Sequence, residues 1–322
     1  MFIEIEHTLS LNYNAYIRES FLELRMQPKT TADQTLQSFV LAVGPPTKIS
    51  RYRDWNGNVV HHFTIVHFHD RIEVVARSAV STHPATPPLD RVTDPRPFPE
   101  PPYPLLDFLA FDGPVRPSPA MRKFSQAAAA TPGATLGEQV RACGRHIREH
   151  FSYKKNVTRY DSTTEDFLSL GAGVCQDFTH LMLGLLRLRQ IPCRYVSGYL
   201  HVAAGEGEAA QSHAWVEFYS PAAGWVPFDP THNREVDERY VVVGHGRHYD
   251  DVPPNKGIYR GNADETLRTA VRTQESTPKD ISALHEEMEQ IDVPVYQEIP
   301  ERRRDRLKQA AEEIAAQDQQ EQ

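Results

Sequence analysis

The sequence predicts an α+β fold: a small β-sandwich at the N-terminus, then a core in which a cysteine-bearing helix packs on an antiparallel sheet. Three observations predict it. Residues 1–82 hold β-rich, partly alternating segments separated by turn signals. Residues 121–200 switch to helical spacing with capping residues. Residues 213–230 alternate again about a Pro/Gly-containing turn.

In order along the chain, Ser20–Met26 alternates partly, and Ile72–Ala76 is rich in β-formers. Between them Asp54-Trp55-Asn56-Gly57-Asn58 reads as a hairpin turn, because Asn-Gly tolerates positive φ. Twelve of the 25 prolines lie between Pro84 and Pro119, so residues 83–120 read as a stiff, extended connection, neither helix nor central strand. Within it Leu105–Phe111 is too apolar to float free and is expected to dock on a domain. The core is expected over 121–274. Thr135-Leu136-Gly137-Glu138 is a capping box, followed by Leu136, Val140, Cys143 and Ile147 at helical spacing. Ser162-Thr163-Thr164-Glu165 reads as a second capping box, opening a short helix that Gly171 ends. A third helix starts near Cys175, with Phe178, Leu181, Met182, Leu185 and Leu188 on one face; Ile191-Pro192 stops it and Arg194–Leu200 resumes as strand. A hairpin about Ser220–Gly224 puts Ala214, Val216, Phe218, Val226 and Phe228 on one face. His213, Trp215, Glu217, Trp225 and Asp229 share the other. Residues 275–322 are a charged tail, either short helices or coil that folds on a partner.

A chain of 322 residues is long enough for two domains. Its formal charge of -8 argues against nucleic acid, whose phosphates need a basic surface. No apolar run approaches the ~20 residues that span a bilayer. The N-terminus carries acids where a leader peptide carries Lys or Arg, which predicts a soluble, cytoplasmic protein without membrane partners. Cys143, Cys175 and Cys193 form neither a disulfide framework nor a metal pair, so no cofactor or metal is expected.

Cys175, His213 and Asp229 occur in an order and setting that suit a thiol nucleophile, its base and the base's orienter. The attacking species is the thiolate, favoured by the positive end of a helix and by a neighbouring imidazolium. Gly171 and Gly173 leave the backbone open to an approaching carbonyl, and N–H groups at the helix start suit a tetrahedral oxyanion.

These residues also carry a resemblance. Gly-Val-Cys-Gln-Asp-Phe at 173–178, Ile-Pro-Cys-Arg-Tyr-Val-Ser-Gly-Tyr at 191–199, His-Ala-Trp-Val-Glu at 213–217 and Gly-Trp-Val-Pro-Phe-Asp-Pro-Thr at 224–231 resemble the core of the transglutaminase-like superfamily. Tyr52-x-Asp54-x-x-Gly57-Asn58 is similar to the β-rich N-terminal domain of a bacterial subgroup, and 246–259 to the segment after the core. The resemblance implies a papain-like core, with Cys175 as nucleophile, His213 as general base and Asp229 as orienter. One departure is His248, where the subgroup usually carries an acid.

Around this set, Trp215, Trp225, Gly173 and Gln176 are the candidate substrate contacts, the tryptophans either lining an acyl groove or covering the hairpin. Asp177 is expected to complement its helix N-terminus. Tyr153 reads as packing rather than as an oxyanion donor. His61, His62, His67 and His69 read as a solvated strand edge rather than a metal site. The expected activity is hydrolysis of a peptide or side-chain amide in a peptide or protein substrate. Transamidation to an amine and a non-catalytic binding module are the rivals.

Overall fold

The computed structural model describes residues 1–83, 86–94, 103–128, 132–203, 211–277, 309 and 312. The expectations for the tail beyond 277 lie outside the described residues. The strand-rich part begins with β1 (Phe2–Ile17), β2 (Glu19–Leu24), β3 (Gln34–Gly44), β4 (Ser50–Arg53), β5 (Val59–Ile65) and β6 (His69–Thr82). The core contributes α1 (Pro119–Ala127), α2 (Leu136–His150), β7 (Ser152–Tyr153), α3 (Thr164–Leu170), β8 (Ala172–Gly173), α4 (Cys175–Leu188), β9 (Cys193–Leu200), β10 (Gln211–Ser220), β11 (Gly224–Asp229), β12 (Arg234–Glu235) and β13 (Tyr240–Gly246). Two further strands follow, β14 (Asn255–Arg260) and β15 (Glu265–Glu275).

Two four-stranded sheets, ordered β15-β1-β6-β3 and β14-β2-β5-β4, face each other as a sandwich. Strand alternation puts Leu9, Leu11 and Tyr13 of β1 on the inner face, against Leu22, Leu24, Phe63 and Ile65 of the second sheet. The start of the same strand serves the other domain, because Ile3 and Ile5 pack with Tyr199, Val241 and Val243 of the core sheet. The expected core boundary at 274 is corrected here: β14 pairs with β2 and β15 with β1, so residues 255–275 return to the sandwich. β15 is a mostly exposed edge strand, so no apolar face marks it in the sequence.

The Asp54–Asn58 turn joins β4 to β5 as expected, with Gly57 at φ +70°. Asp54 Oδ1 accepts from the N–H groups of Asn56 and Asn58 at 3.0 and 2.9 Å. Asn58 itself is fully buried and clasps β13. Its Nδ2 donates to the His245 carbonyl at 2.9 Å, and its Oδ1 accepts from His245 N–H at 2.9 Å. The solvated edge expected of His61, His62, His67 and His69 is corrected for two of them: His61 and His69 are buried, His61 stacking on Phe39 and His69 Nε2 meeting Ser20 Oγ at 2.7 Å.

The expected docking of 105–111 is present. Residues Tyr103–Leu109 form a 3₁₀ turn that buries Leu105 and sets Phe108 edge-on to Trp225 at 5.1 Å. Helical turns inside the proline-rich connection correct the extended reading. Pro104 stands at the start of that turn and Pro119 at the start of α1, positions where a missing N–H costs nothing.

In the core, α4 packs on the antiparallel sheet β12-β11-β10-β9-β13. Phe178 to Arg187 are all buried, so this helix is covered on every side rather than along one stripe. The first capping box is present at Thr135 and Glu138. The second is shifted by one residue: Thr163 is the cap, reciprocating with Asp166, while Ser162 Oγ accepts from Arg159 N–H. Among the described residues no helix is long and apolar enough to cross a membrane.

The tightest strand contact lies under β9. A Cβ on Gly198 would meet the Val241 carbonyl oxygen at 2.1 Å and the Trp215 ring at 2.5 Å. Gly198→Ala is therefore expected to destabilise the fold by about 3 kcal/mol, since neither a paired strand nor a fully buried indole can withdraw. A urea midpoint unchanged from wild type would contradict this.

Candidate active site

Cys175 is the first residue of α4, brought there by a short strand on each side of a helix. Residues 152–153 (β7) pair in parallel with 172–173 (β8), so Tyr153 lies opposite Gly173, two residues before the cysteine. Asp177 secures the helix start, its Oδ2 accepting from Val174 N–H at 2.7 Å and from Thr158 Oγ1 at 2.7 Å. This is the capping role expected of it, and burial raises its pKa against those hydrogen bonds. Of the three thiols, Cys143 and Cys193 are fully buried and Cys175 is partly exposed. Burial pushes the Cys193 thiol up to about 11 and raises that of Cys143 as well.

His213 comes from β10 and Asp229 from the end of β11, strands whose register pairs Val216 with Phe228. The hairpin's alternation puts both on the sheet face away from the core cluster of Ala214, Val216, Phe218, Val226 and Phe228. His213 Nε2 lies 2.9 Å from Asp229 Oδ2, with both side chains almost completely buried. Burial works against charge on both groups, yet each is shifted toward its charged form. The Asp229 carboxylate, and then Cys175, raise His213 well above the ordinary histidine value. Asp229 is held well below the carboxylate range by His213 and His232. An ionised Asp229 can only accept, so Nε2–H is the donor and Nδ1 is the nitrogen left for the thiol. That Nδ1 is buried without a hydrogen-bond partner, and Cys175 contributes to the raised pKa of the ring.

Two residues of this network were not singled out from the sequence. His232 Nδ1 donates to Asp229 Oδ2 at 2.6 Å, and the Tyr240 hydroxyl donates to the same oxygen at 2.7 Å. Asp229 Oδ1 accepts from the backbone N–H groups of Thr231 at 2.8 Å and His232 at 3.3 Å. His232 stands three residues past Asp229, a local signal. Tyr240 comes from β13, and nothing local points to it.

The candidate substrate contacts fare unevenly. Trp215 is fully buried, stacks on His213 at 6.2 Å and sets its edge to Tyr240 at 5.3 Å. Its ring packs against the imidazole. Trp225 lies four residues from Asp229, roughly 13 Å along the strand, under the Arg194 guanidinium at 4.2 Å. Both tryptophans border a cavity of about 340 Å³ against the sandwich, which Cys175, His213 and Asp229 do not line. Gly173 is buried, and a Cβ there would meet Asp177 Oδ2 at 2.4 Å, so its smallness serves the cap and not an approaching carbonyl. Gln176 Nε2 donates to the Tyr160 carbonyl at 2.8 Å, fastening the 155–162 loop beside Cys175. His248 lies over Gly113, its Nε2 3.5 Å from Asp112 Oδ2, and locks the proline-rich connection to the core.

Both parts of the chain are similar to known proteins. Residues 3–81 match the bacterial transglutaminase-like N-terminal region, and residues 122–230 match the transglutaminase-like superfamily. An uncharacterised protein of Mycobacterium leprae is 32% identical over 281 residues, covering 84% of this chain and 97% of that protein. A protein-glutamine gamma-glutamyltransferase of Pseudomonas aeruginosa is 29% identical over 133 residues, 36% of this chain and 20% of that one. Among solved structures, that of a candidate cysteine protease from Cytophaga hutchinsonii superposes with a TM-score of 0.71 at 19% identity, covering 92% of this chain and 94% of its own. A strand-rich N-terminal domain of the bacterial type, a cysteine-headed helix on an antiparallel sheet and near full-length similarity together place the chain in the transglutaminase-like superfamily.

Proposed function

We propose that the protein is a thiol-dependent acyl-transfer enzyme that hydrolyses peptide or side-chain amides. The observation that carries this reading is a buried imidazole whose Nε2–H is held by a carboxylate while its Nδ1 is left for the Cys175 thiol. Cys175 Sγ attacks the amide carbonyl, its proton having passed to His213 Nδ1. Val174 N–H is occupied by Asp177, so the N–H groups of Cys175 and Gln176 are the helix-start donors for the oxyanion. Collapse breaks the C–N bond, and His213 Nδ1–H protonates the departing amine. Water then attacks the thioester, its proton goes to His213, and the acid and the thiolate are released. Asp229 stays ionised throughout.

The resemblance to a protein-glutamine gamma-glutamyltransferase supports a second reading, in which a primary amine replaces water in the last step. One experiment addresses both. The protein is incubated with glutamine-containing peptides with and without a primary amine, and the acyl-enzyme is sought by mass spectrometry. A thioester on Cys175, absent in Cys175→Ala, is expected. Acid product without added amine supports hydrolysis, and an amine-dependent conjugate supports transamidation. Iodoacetamide labelling of Cys175 no faster than that of Cys143 and Cys193 across neutral pH would overturn both.

A further inference from the structure

We infer that the last turn of α2 is a binding site for a divalent transition-metal cation of the zinc class, held by His146, Glu149 and His150. Positions i, i+3 and i+4 of a helix share one face, and a ligand atom from each of these three residues lies within 4.8 Å of the others. Two imidazoles and one carboxylate are the donor set of three-ligand zinc sites, in which the remaining positions go to water. Two nitrogens on one tetrahedral zinc stand about 3.3 Å apart, so small side-chain rotations from the present separation close the set.

Two further details distinguish this cluster from histidines that merely end a helix. First, His150 Nδ1 is 2.8 Å from the His146 carbonyl oxygen. A carbonyl only accepts, so Nδ1 carries the hydrogen and the Nε2 lone pair faces outward, the orientation in which a backbone oxygen presets a metal-binding imidazole. Second, His146 Nε2 is buried without a hydrogen-bond partner, and such an atom calls for an unseen one. The rings lie 4.2 Å apart, with Phe124 of α1 against both at 4.4 and 5.5 Å. Both rings stand beside the Glu149 carboxylate, within reach of one cation.

The location gives the site a consequence. α2 runs directly through Phe151 into β7, the strand paired with Ala172–Gly173 immediately before Cys175. A cation bound to the folded chain stabilises it by mass action and clamps the turn from which β7 departs.

The test is titration calorimetry with ZnCl₂ on metal-free Cys175→Ala protein, in which the reactive thiol no longer competes. One equivalent of zinc is expected to bind, with a rise in Tm. His150→Gln and Glu149→Gln are each expected to weaken binding about tenfold or more and to abolish the Tm shift, with circular dichroism unchanged. The other three-group cluster, His213, Asp229 and His232, belongs to the candidate active site. His232→Gln separates the two, since it should leave the calorimetric affinity intact. Binding that persists in His150→Gln, that disappears in His232→Gln, or that is absent at submillimolar zinc would overturn the proposal.

Discussion

Replacing Asp229 by Asn is expected to reduce thiol-dependent turnover by about 10³- to 10⁴-fold without unfolding the protein. The expectation follows from which atoms surround the carboxylate. Oδ1 accepts two backbone N–H groups, from Thr231 and His232, and backbone donors cannot reverse. An asparagine must therefore place its oxygen there and its NH₂ where Oδ2 now meets His213, His232 and Tyr240. Facing a donor, His213 would present the Nε2 lone pair and carry its hydrogen on Nδ1. The nitrogen that receives the thiol proton is then already occupied. The pH dependence moves in a defined direction. Wild-type His213 is raised above its ordinary value, so the imidazolium partner of a thiolate persists past neutrality and is lost only as pH rises through that raised value. Without the carboxylate, burial is opposed by Cys175 alone and the loss moves to lower pH, toward the ordinary histidine value of about 6.5. The rate of iodoacetamide labelling of Cys175 against pH measures this without a substrate. A basic limb that stays in place in Asp229→Asn would show that the carboxylate does not hold the imidazolium.

Arg187→Leu is expected to destabilise the protein by about 3 kcal/mol. Arg187 is fully buried in α4. Among the described residues its guanidinium meets carbonyl oxygens and no carboxylate. Nη1 donates to Ala110 at 2.7 Å, and Nη2 donates to Cys193 at 3.4 Å and to Arg247. Three separate chain segments thus converge on one side chain: the proline-rich connection, the start of β9 and the turn after β13. Leucine removes the cost of burying a charge, which argues for a small effect. It also removes a charged donor from three carbonyls, that of Cys193 buried and those of Ala110 and Arg247 part-buried, and hydrogen bonds to a charged group contribute about 1.5–3 kcal/mol each. The second effect is the larger. The urea midpoint should fall, and limited proteolysis should cut near 103–111 or 247–251 first. An unchanged midpoint would mean that the three segments hold without it.

These two residues mark the limit of what the sequence determined. Cys175, His213 and Asp229 were legible because each sits in a local context with its own signal: a glycine-flanked helix start and two strands of one hairpin whose period-2 alternation puts His213 and Asp229 on one face. The Asp54–Asn58 turn and the Thr135 capping box were legible for the same reason, since their hydrogen bonds close within a few residues. The tertiary structure alone decided what depends on partners distant in sequence. Tyr240 reaches Asp229 from another strand, and Arg187 reads as one polar position of an amphipathic helix until that helix is covered on all sides. β15 carries no apolar stripe and is a strand only because β1, more than 250 residues earlier, offers its free edge. Trp215 and Trp225 show the same division. Alternation placed them on the face of His213, but whether an aromatic ring on that face lines a groove or braces an imidazole is set by what packs above it. Here Tyr240 packs on Trp215, and Phe108 and Arg194 on Trp225. Local hydrogen bonding and side-chain periodicity are written in short stretches of chain, whereas burial and long-range pairing exist only once the chain has closed on itself.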